Sequence, residues 1–327
     1  EQLFDYYNYG RYGPSGIQKA VQSTRPQYLL LVGRTTYDYH NYEGMNVDPL
    51  CPTFLVSTTF WSQATSDSKF GDLGRGYPEV AVGRLPVNDA NELSVAVQHI
   101  LNYKGAPSSG VRVHAVADAT DPTVSNFAND ADSLAQANPD LDWQRNYLQS
   151  TVATSPEVTA AMNDAANGGA DWILFLGHGN AIRLGKNTPD ILNVNTVQEW
   201  SGSAVFLQGT CTAHWMAKNI AGYHSIAIQA LTQPQGGLSA SIGTSTYMNP
   251  DATTAFIAQL LKNANHGGQR WGIALMQAQS SALNNASTPF NADLGLTESL
   301  FGDPAMPVFS KTTGKATPAA NPVSGTF

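Results

Sequence analysis

Two polar residues, His178 and Cys211, have the types and the placement for nucleophilic catalysis. Each stands just beyond an apolar run. Trp172-Ile173-Leu174-Phe175-Leu176 leads into Gly177-His178-Gly179, and Ala204-Val205-Phe206-Leu207 leads through Gln208 into Gly209-Thr210-Cys211. An imidazole beside a thiol can take its proton, and the thiolate is the nucleophile. Glycine on both sides of His178 lets the backbone turn sharply where the ring emerges. The amides of Gly179 and Cys211, at such turns, could bind an oxyanion. Read singly, neither residue is specific: a loop histidine is commonly structural, and a buried cysteine is commonly a small apolar filler. Cys51 and Cys211 could also form one disulfide, though two cysteines make no disulfide framework. Spacing alone leaves these readings open beside an active Cys–His pair.

The runs that carry the pair have companions. Tyr28-Leu29-Leu30-Leu31-Val32 ends at Gly33, Val80-Ala81-Val82 at Gly83-Arg84, Val113-His114-Ala115-Val116-Ala117 at Asp118, and Leu238-Ser239-Ala240-Ser241-Ile242 at Gly243. Apolar runs of this length between turn residues read as strands buried on both faces. Helical spacing fills the gaps: residues 90–103 carry Leu93, Val97, Ile100 and Leu101 on one side, and residues 253–261 and 272–283 behave alike. Strands alternating with helices predict an α/β fold, a mostly parallel sheet with helices on both faces. Functional residues of such sheets gather beyond the carboxyl ends of the strands. The turn-rich stretch Gly105-Ala106-Pro107-Ser108-Ser109-Gly110 predicts a join between two sub-domains, 1–108 and a catalytic 109–310. The Thr-, Pro-, Ala- and Gly-rich tail 311–327 reads as a linker towards further domains.

Composition narrows the partners. Apolar residues make up 42% of the 327, as in a globular protein, while charged residues are only 13%. A net charge of −8 and the lack of any long basic run argue against nucleic acid as a partner. No apolar stretch approaches 18 residues, so no membrane span is expected. The opening Glu1-Gln2-Leu3-Phe4-Asp5 has no signal-peptide pattern and reads as the start of a mature or excised portion. Low charge with abundant Ser, Thr and Asn points to a secreted or cell-surface protein, of bacterial type.

The sequence resembles the gingipain-like cysteine peptidases of the caspase, legumain and clostripain clan. The resemblance rests on the Gly-His-Gly and Gly-Thr-Cys strand ends and on Tyr77-Pro78-Glu79-Val80-Ala81-Val82-Gly83-Arg84-Leu85-Pro86-Val87. It rests also on Tyr28–Gly33 near the start and Leu300-Phe301-Gly302-Asp303-Pro304-Ala305-Met306-Pro307 near the end. These landmarks keep the family's order over about residues 26 to 308. The resemblance implies a caspase-like sheet and hydrolysis of protein or peptide substrates through a Cys211 thioester. His178 would be general acid and base, the Gly179 and Cys211 amides the oxyanion hole, and no cofactor would be required. Asp67, in Thr65-Ser66-Asp67-Ser68-Lys69-Phe70, matches an acidic position of a similar family segment and is the candidate carboxylate behind His178; its alternative is a turn cap. Arg34 stands where the family often has Asp. Arg75 stands where arginine-specific relatives bind the substrate guanidinium. A cation there would repel a basic side chain, which argues against Arg or Lys specificity; otherwise Arg75 is simply solvated, and Asp72 nearby could restore acidity.

Other residues carry weaker signals. Tyr247, after Gly243-Thr244-Ser245-Thr246, is a candidate wall of the substrate pocket or an ordinary half-buried tyrosine. His214, three residues after Cys211, could compete with His178 as base, and Trp215 reads as core. No histidine spacing suggests zinc. The acidic clusters from Asp118 to Asp121 and Asn129 to Asp132 could bind structural calcium, or be ordinary surface loops. Two other functions stay in view: a non-catalytic structural or binding module on the same sheet, and a transpeptidase passing the acyl group to an amine.

Overall fold

A computed structural model of the chain describes residues 2–44, 49–148, 156–186, 189–216, 224–266 and 268–310; the linker-like tail 311–327 lies outside the described residues. In chain order the strands are β1 (Tyr28–Val32), β2 (Phe54–Val56), β3 (Ala64–Ser66), β4 (Ala81–Leu85), β5 (Arg112–Ala117), β6 (Asp142–Tyr147) and β7 (Trp172–Leu176). After these come β8 (Gly179–Asn180), β9 (Arg183–Leu184), β10 (Leu192–Asn193), β11 (Ser203–Gly209), β12 (Gly237–Thr244) and β13 (Glu298–Phe301). The helices are α1 (Gln2–Asn8), α2 (Pro14–Thr24), α3 (Ala90–Asn102), α4 (Phe127–Ala137) and α5 (Pro156–Asp164), then α6 (Ile226–Thr232), α7 (Pro250–Ala264), α8 (Trp271–Asn284) and α9 (Pro289–Thr297).

Eight strands form one sheet in the order β1-β4-β13-β12-β11-β7-β5-β6. All neighbours are parallel except β12 and β13. The sheet runs across the join near residue 108, because β13 returns from the end of the chain to lie between β12 and β4. It meets β4 through one residue pair, Phe301 and Arg84. The antiparallel step reverses strand direction there. The carboxyl ends of β7, β11 and β12 therefore share an edge with the amino ends of β4 and β1.

Alternation within the strands feeds two cores. Val113, Ala115, Trp172, Leu174, Val205, Leu207 and Ile242 pack under α4, α7 and α8, with Phe256, Leu260, Leu261, Trp271 and Leu275 above them. Val116, Ile173, Phe175, Phe206 and Leu238 turn to the other face, beneath Val158 and Met162 of α5 and Ile226 of α6. With helices on both sides, every residue of β7 is buried, which is why that strand can be wholly apolar.

The N-terminal part is tied to the sheet by a buried ion pair. Arg84, fully buried on β4, donates Nε and Nη2 to Asp67 at 2.6 and 2.8 Å. Its remaining donors reach the carbonyls of Gly33, Cys51 and Pro52 at 2.8, 3.3 and 2.9 Å. Thr53 Oγ1 donates to the same carboxylate at 2.8 Å. Burial, the largest single influence, would lower the guanidinium pKa, but the charge and hydrogen bonds of Asp67 together with Cys51 outweigh it and the net shift is upward. Such a pair adds little over apolar packing, yet losing one partner strands a buried charge.

Two outcomes follow. Arg84→Met should cost roughly 3–5 kcal/mol in denaturant unfolding, and Arg84→Met with Asp67→Leu should recover part of it. The second concerns Glu298, which is 4% exposed at the start of β13, where burial lifts its carboxyl from 4.5 to about 8. Folding then takes up a proton, so stability falls as pH rises from about 4.5 to about 8 and is flat above. Glu298→Gln should abolish that slope and stabilise at pH 8 by on the order of 3 kcal/mol. Melts across that range decide it.

Candidate active site

The pairing of β7 with β11 sets the position of both reactive side chains. Leu176 lies opposite Gly209, so His178 and Cys211 each stand two residues beyond the same rung. The Gly177 N–H donates to the Gly209 carbonyl at 3.2 Å and carries the pairing past the last rung. The glycines are needed because the chains approach too closely for side chains. A Cβ on Gly177 would lie 2.4 Å from the Asp118 Cβ, and one on Gly179 would lie 2.7 Å from Thr210 Oγ1.

Cys51 and Cys211 are both free, and no bridge joins them. Burial pushes the Cys211 thiol up, opposed only by a backbone N–H of Met248. Thr212, next in the chain, is held at φ +47°, a left-handed conformation that a β-branched residue adopts only under constraint. Its N–H donates to the Thr246 carbonyl at 2.8 Å, and the His214 N–H to the Thr244 carbonyl at 2.9 Å. The nucleophile turn is thus laced to the end of β12.

The carboxylate facing the imidazole is Asp121, not Asp67. His178 Nε2 lies 3.1 Å from Asp121 Oδ2, and Phe127 sets its ring edge-on against the imidazole at 5.3 Å. A carboxylate at Nε2 favours the tautomer that carries its proton there, which leaves Nδ1 as the acceptor of that tautomer. Asp121 also accepts from Lys186 Nζ at the same oxygen, and from the Thr123 hydroxyl and amide at Oδ1. Lys186, then Thr123, and more weakly His178 hold its carboxyl well below the usual range. Behind it, buried Asp118 accepts the amides of Ala119, His178 and Lys186 at 2.8, 3.2 and 3.0 Å. Asp67 cannot take this part, because its carboxylate is committed to Arg84.

The bond from the Gly185 N–H to the His178 carbonyl, 2.8 Å, makes Gly179 and Leu184 a non-hydrogen-bonded pair of β8 and β9. That leaves the Gly179 amide outside the ladder. Tyr247 is half exposed and stacks on Trp61 at 5.6 Å; Trp61 meets Trp215 at 4.4 Å, and Trp215 meets Tyr37 at 5.7 Å. Trp215 is therefore part of an aromatic wall beside the nucleophile turn rather than core.

His214 is buried, stacked on Phe301 at 3.8 Å and bonded to Ser241 and Ser299, each at 2.9 Å. Burial pulls its pKa down to about 3, so it is neutral and structural. Arg75 is exposed, and its guanidinium reaches Glu79 at 3.5 Å and the Tyr77 hydroxyl at 3.4 Å. Asp72 accepts the amides of Gly74, Arg75 and Gly76 and caps that turn. Neither contacts the His178–Cys211 turns, and the solvated reading of Arg75 fits. Arg34, where relatives often carry Asp, is buried. Of the suggested calcium ligands, Asp130 accepts from Ser125 at 2.6 Å, and Asp132 engages Arg145 and Tyr147 at 3.3 and 2.9 Å. Among the described residues no group of three His, Cys, Asp or Glu side chains could hold a metal ion.

Sequence reasoning offers Asp118 and Asp121 only as candidate calcium ligands, not as partners of His178, and it does not point to Lys186 or Trp61. A signal for the first two existed: they follow the apolar run 113–117, which forms the strand beside β7. Lys186 and Trp61 had none.

A mostly parallel sheet covered by helices on both faces, with a free thiol and an imidazole at adjacent strand ends, is the architecture of a caspase-like cysteine peptidase. The chain belongs to peptidase family C25, the gingipain family, whose sequence model matches residues 1–309, and it is a cysteine peptidase. Among solved structures it is similar to the Arg-specific cysteine proteinase gingipain R, at TM-score 0.69 and 15% identity over 90% of this chain and 68% of that one. The complex of Porphyromonas gingivalis RgpB pro- and mature domains gives TM-score 0.67 and 14% identity over 90% and 69%. A further protease structure gives 0.64 and 13% over 94% and 72%. At these identities the likeness is one of fold. No curated protein matches the sequence.

Gly179→Ala should force the strand ends apart, costing roughly 1–3 kcal/mol in stability. It should also slow alkylation of Cys211 by iodoacetamide at pH 7.5, and a rate equal to wild type would show that the close approach is not needed.

Proposed function

We propose that this cysteine peptidase is a secreted or cell-surface endopeptidase that cleaves internal peptide bonds through a Cys211 thioester. Cys211 Sγ attacks the scissile carbonyl as its proton passes to His178, and the carbonyl π electrons move to an oxyanion bound by the Gly179 and Cys211 amides. The C–N bond then breaks as His178 protonates the leaving amine. Water, deprotonated by His178, hydrolyses the thioester and returns the thiol. Asp121 keeps the ring in the Nε2–H tautomer. The observation that carries the reading is the common rung beneath His178 and Cys211, with a carboxylate on Nε2 of the ring. Among the described residues no helix is long and apolar enough to cross a membrane, and no cofactor enters the chemistry.

Arg75, paired in its own turn, gives no ground for excluding basic side chains. The feature that bears on specificity is the aromatic wall of Trp61, Trp215 and Tyr247. It favours a bulky apolar side chain next to the scissile bond, because aromatic faces offer large apolar area with little ordering cost.

One experiment tests activity and selectivity together. Wild-type protein is profiled against a peptide library, with Cys211→Ala and Asp121→Asn beside it. Cys211→Ala should abolish cleavage, and Asp121→Asn should lower kcat by about 10²- to 10⁴-fold while Asp67→Asn mainly lowers stability. Cleavage surviving in Cys211→Ala would sink the peptidase mechanism, and indifference to apolar residues would sink the role of the wall. Products joined to an added amine would instead favour acyl transfer.

A further inference from the structure

Asp121 serves two cations with one oxygen. Oδ2 accepts from Lys186 Nζ and lies 3.1 Å from His178 Nε2. A lone carboxylate there would favour the imidazolium, and with it the thiolate–imidazolium pair, by direct attraction. A carboxylate already paired with an ammonium offers much less, because the two charges nearly cancel at the ring. We infer that Lys186 is a positioning residue that withholds the charge of Asp121 from His178, so that the resting pair is a thiol and a neutral imidazole. The inference rests on the peptidase reading above.

The surroundings agree. Burial pushes the Cys211 thiol up, and no cation among the described residues sits on it to oppose that. Asp118, behind the ring, is itself held towards its neutral form by burial and spends its oxygens on backbone amides. Arg183 turns to Asp190 at 3.4 Å and to the Lys186 carbonyl at 3.4 Å. From α4, Asp130 is taken by Ser125, with Asp251 of α7 near it. His214 is neutral. The Lys186 side chain is 55% exposed, so its charge can be removed without opening the core. Its amide is fixed by Asp118, which holds the residue beside the ring whatever its side chain.

The mechanism then begins with proton transfer in the bound complex rather than from a preformed ion pair. As the Sγ–C bond forms, the thiol proton moves to Nδ1 and the imidazolium appears only with the oxyanion.

The test is alkylation of Cys211 by iodoacetamide, followed by peptide mass spectrometry from pH 5.5 to 8.5, in wild type, Lys186→Met and Lys186→Arg. Lys186→Met should react about five- to tenfold faster than wild type at pH 6, and the basic limb of its kcat/KM profile should move to higher pH. Lys186→Arg should keep the wild-type profile, and adding Asp121→Asn to Lys186→Met should erase the gain. Equal or slower reaction of Lys186→Met at pH 6 overturns the inference. So does Lys186→Arg behaving like Lys186→Met, since the stem and not the charge would then matter. If wild type cleaves no peptide and Cys211→Ala behaves like it in the library, the peptidase mechanism fails first. Active wild type with an unshifted Lys186→Met rejects this inference alone.

Discussion

The site depends on one rung of a parallel ladder. Leu176 opposite Gly209 fixes how far each chain has travelled when it leaves the sheet, and a slip of one residue would turn every side chain of β11 to the other face. Such a slip is forbidden because both faces are committed: Val205 and Leu207 fill one core, and Phe206 fills the other. The packing that makes β7 and β11 stable is thus the same packing that brings an imidazole and a thiol to one height. The glycines at 177, 179 and 209 then allow a separation that side chains would prevent.

The N-terminal part uses its few charges differently. With little charge in the chain, most ionic groups have specific partners. Asp67 and Arg84 lock the loops at 33 and 51–53 against β4, and Arg112 and Asp171 clasp β5 to the start of β7 at 3.1 Å. The Asp67 arrangement is structural for a plain reason: its two oxygens are taken by the buried Arg84 guanidinium and the Thr53 hydroxyl, away from the imidazole. A motif match marks that an acid is required at a position, and only the fold says by whom.

What was legible in the sequence was what burial writes into it. β1, β4, β5, β7, β11 and β12 each follow an apolar run quoted from the sequence, with ends within three residues, since a strand covered on both faces admits little else. β6 escaped notice because it is the edge strand, Asp142-Trp143-Gln144-Arg145-Asn146-Tyr147, half open to solvent and polar. β13 escaped because four residues, beginning with a buried glutamate, carry no periodicity; its place between β12 and β4 is set wholly by tertiary contact. The same divide runs through the site. His178 and Cys211 are strand-end residues and could be read, whereas the Asp121–His178 contact spans 57 positions of sequence and joins two loops whose paths only the sheet order decides. Glu79, which claims Arg75, lies within a turn of it and could have been weighed.

The coupling of chemistry to selectivity follows from where β12 ends. Thr244 and Thr246 accept the amides of His214 and Thr212, and Met248 places its N–H on the thiol, so the nucleophile turn and the segment carrying Tyr247 move as one body. Beneath them, His214 bridges Ser241 of β12 and Ser299 of β13, and Gln208 of β11 donates to the same Ser241 at 2.7 Å. A buried network with each of these members satisfied is stiff, because breaking any one bond leaves a polar group unpaired in a dry interior. Trp61 reaches Tyr247 from the other direction, its loop tied to this body by the Thr58–Thr246 contact at 2.8 Å. A side chain bound against that wall would therefore be registered to Sγ through hydrogen bonds and ring contacts rather than through a mobile flap. Selectivity in this chain would accordingly be expressed in kcat as well as in KM, since misplacing the substrate on the wall misplaces the carbonyl over the thiol.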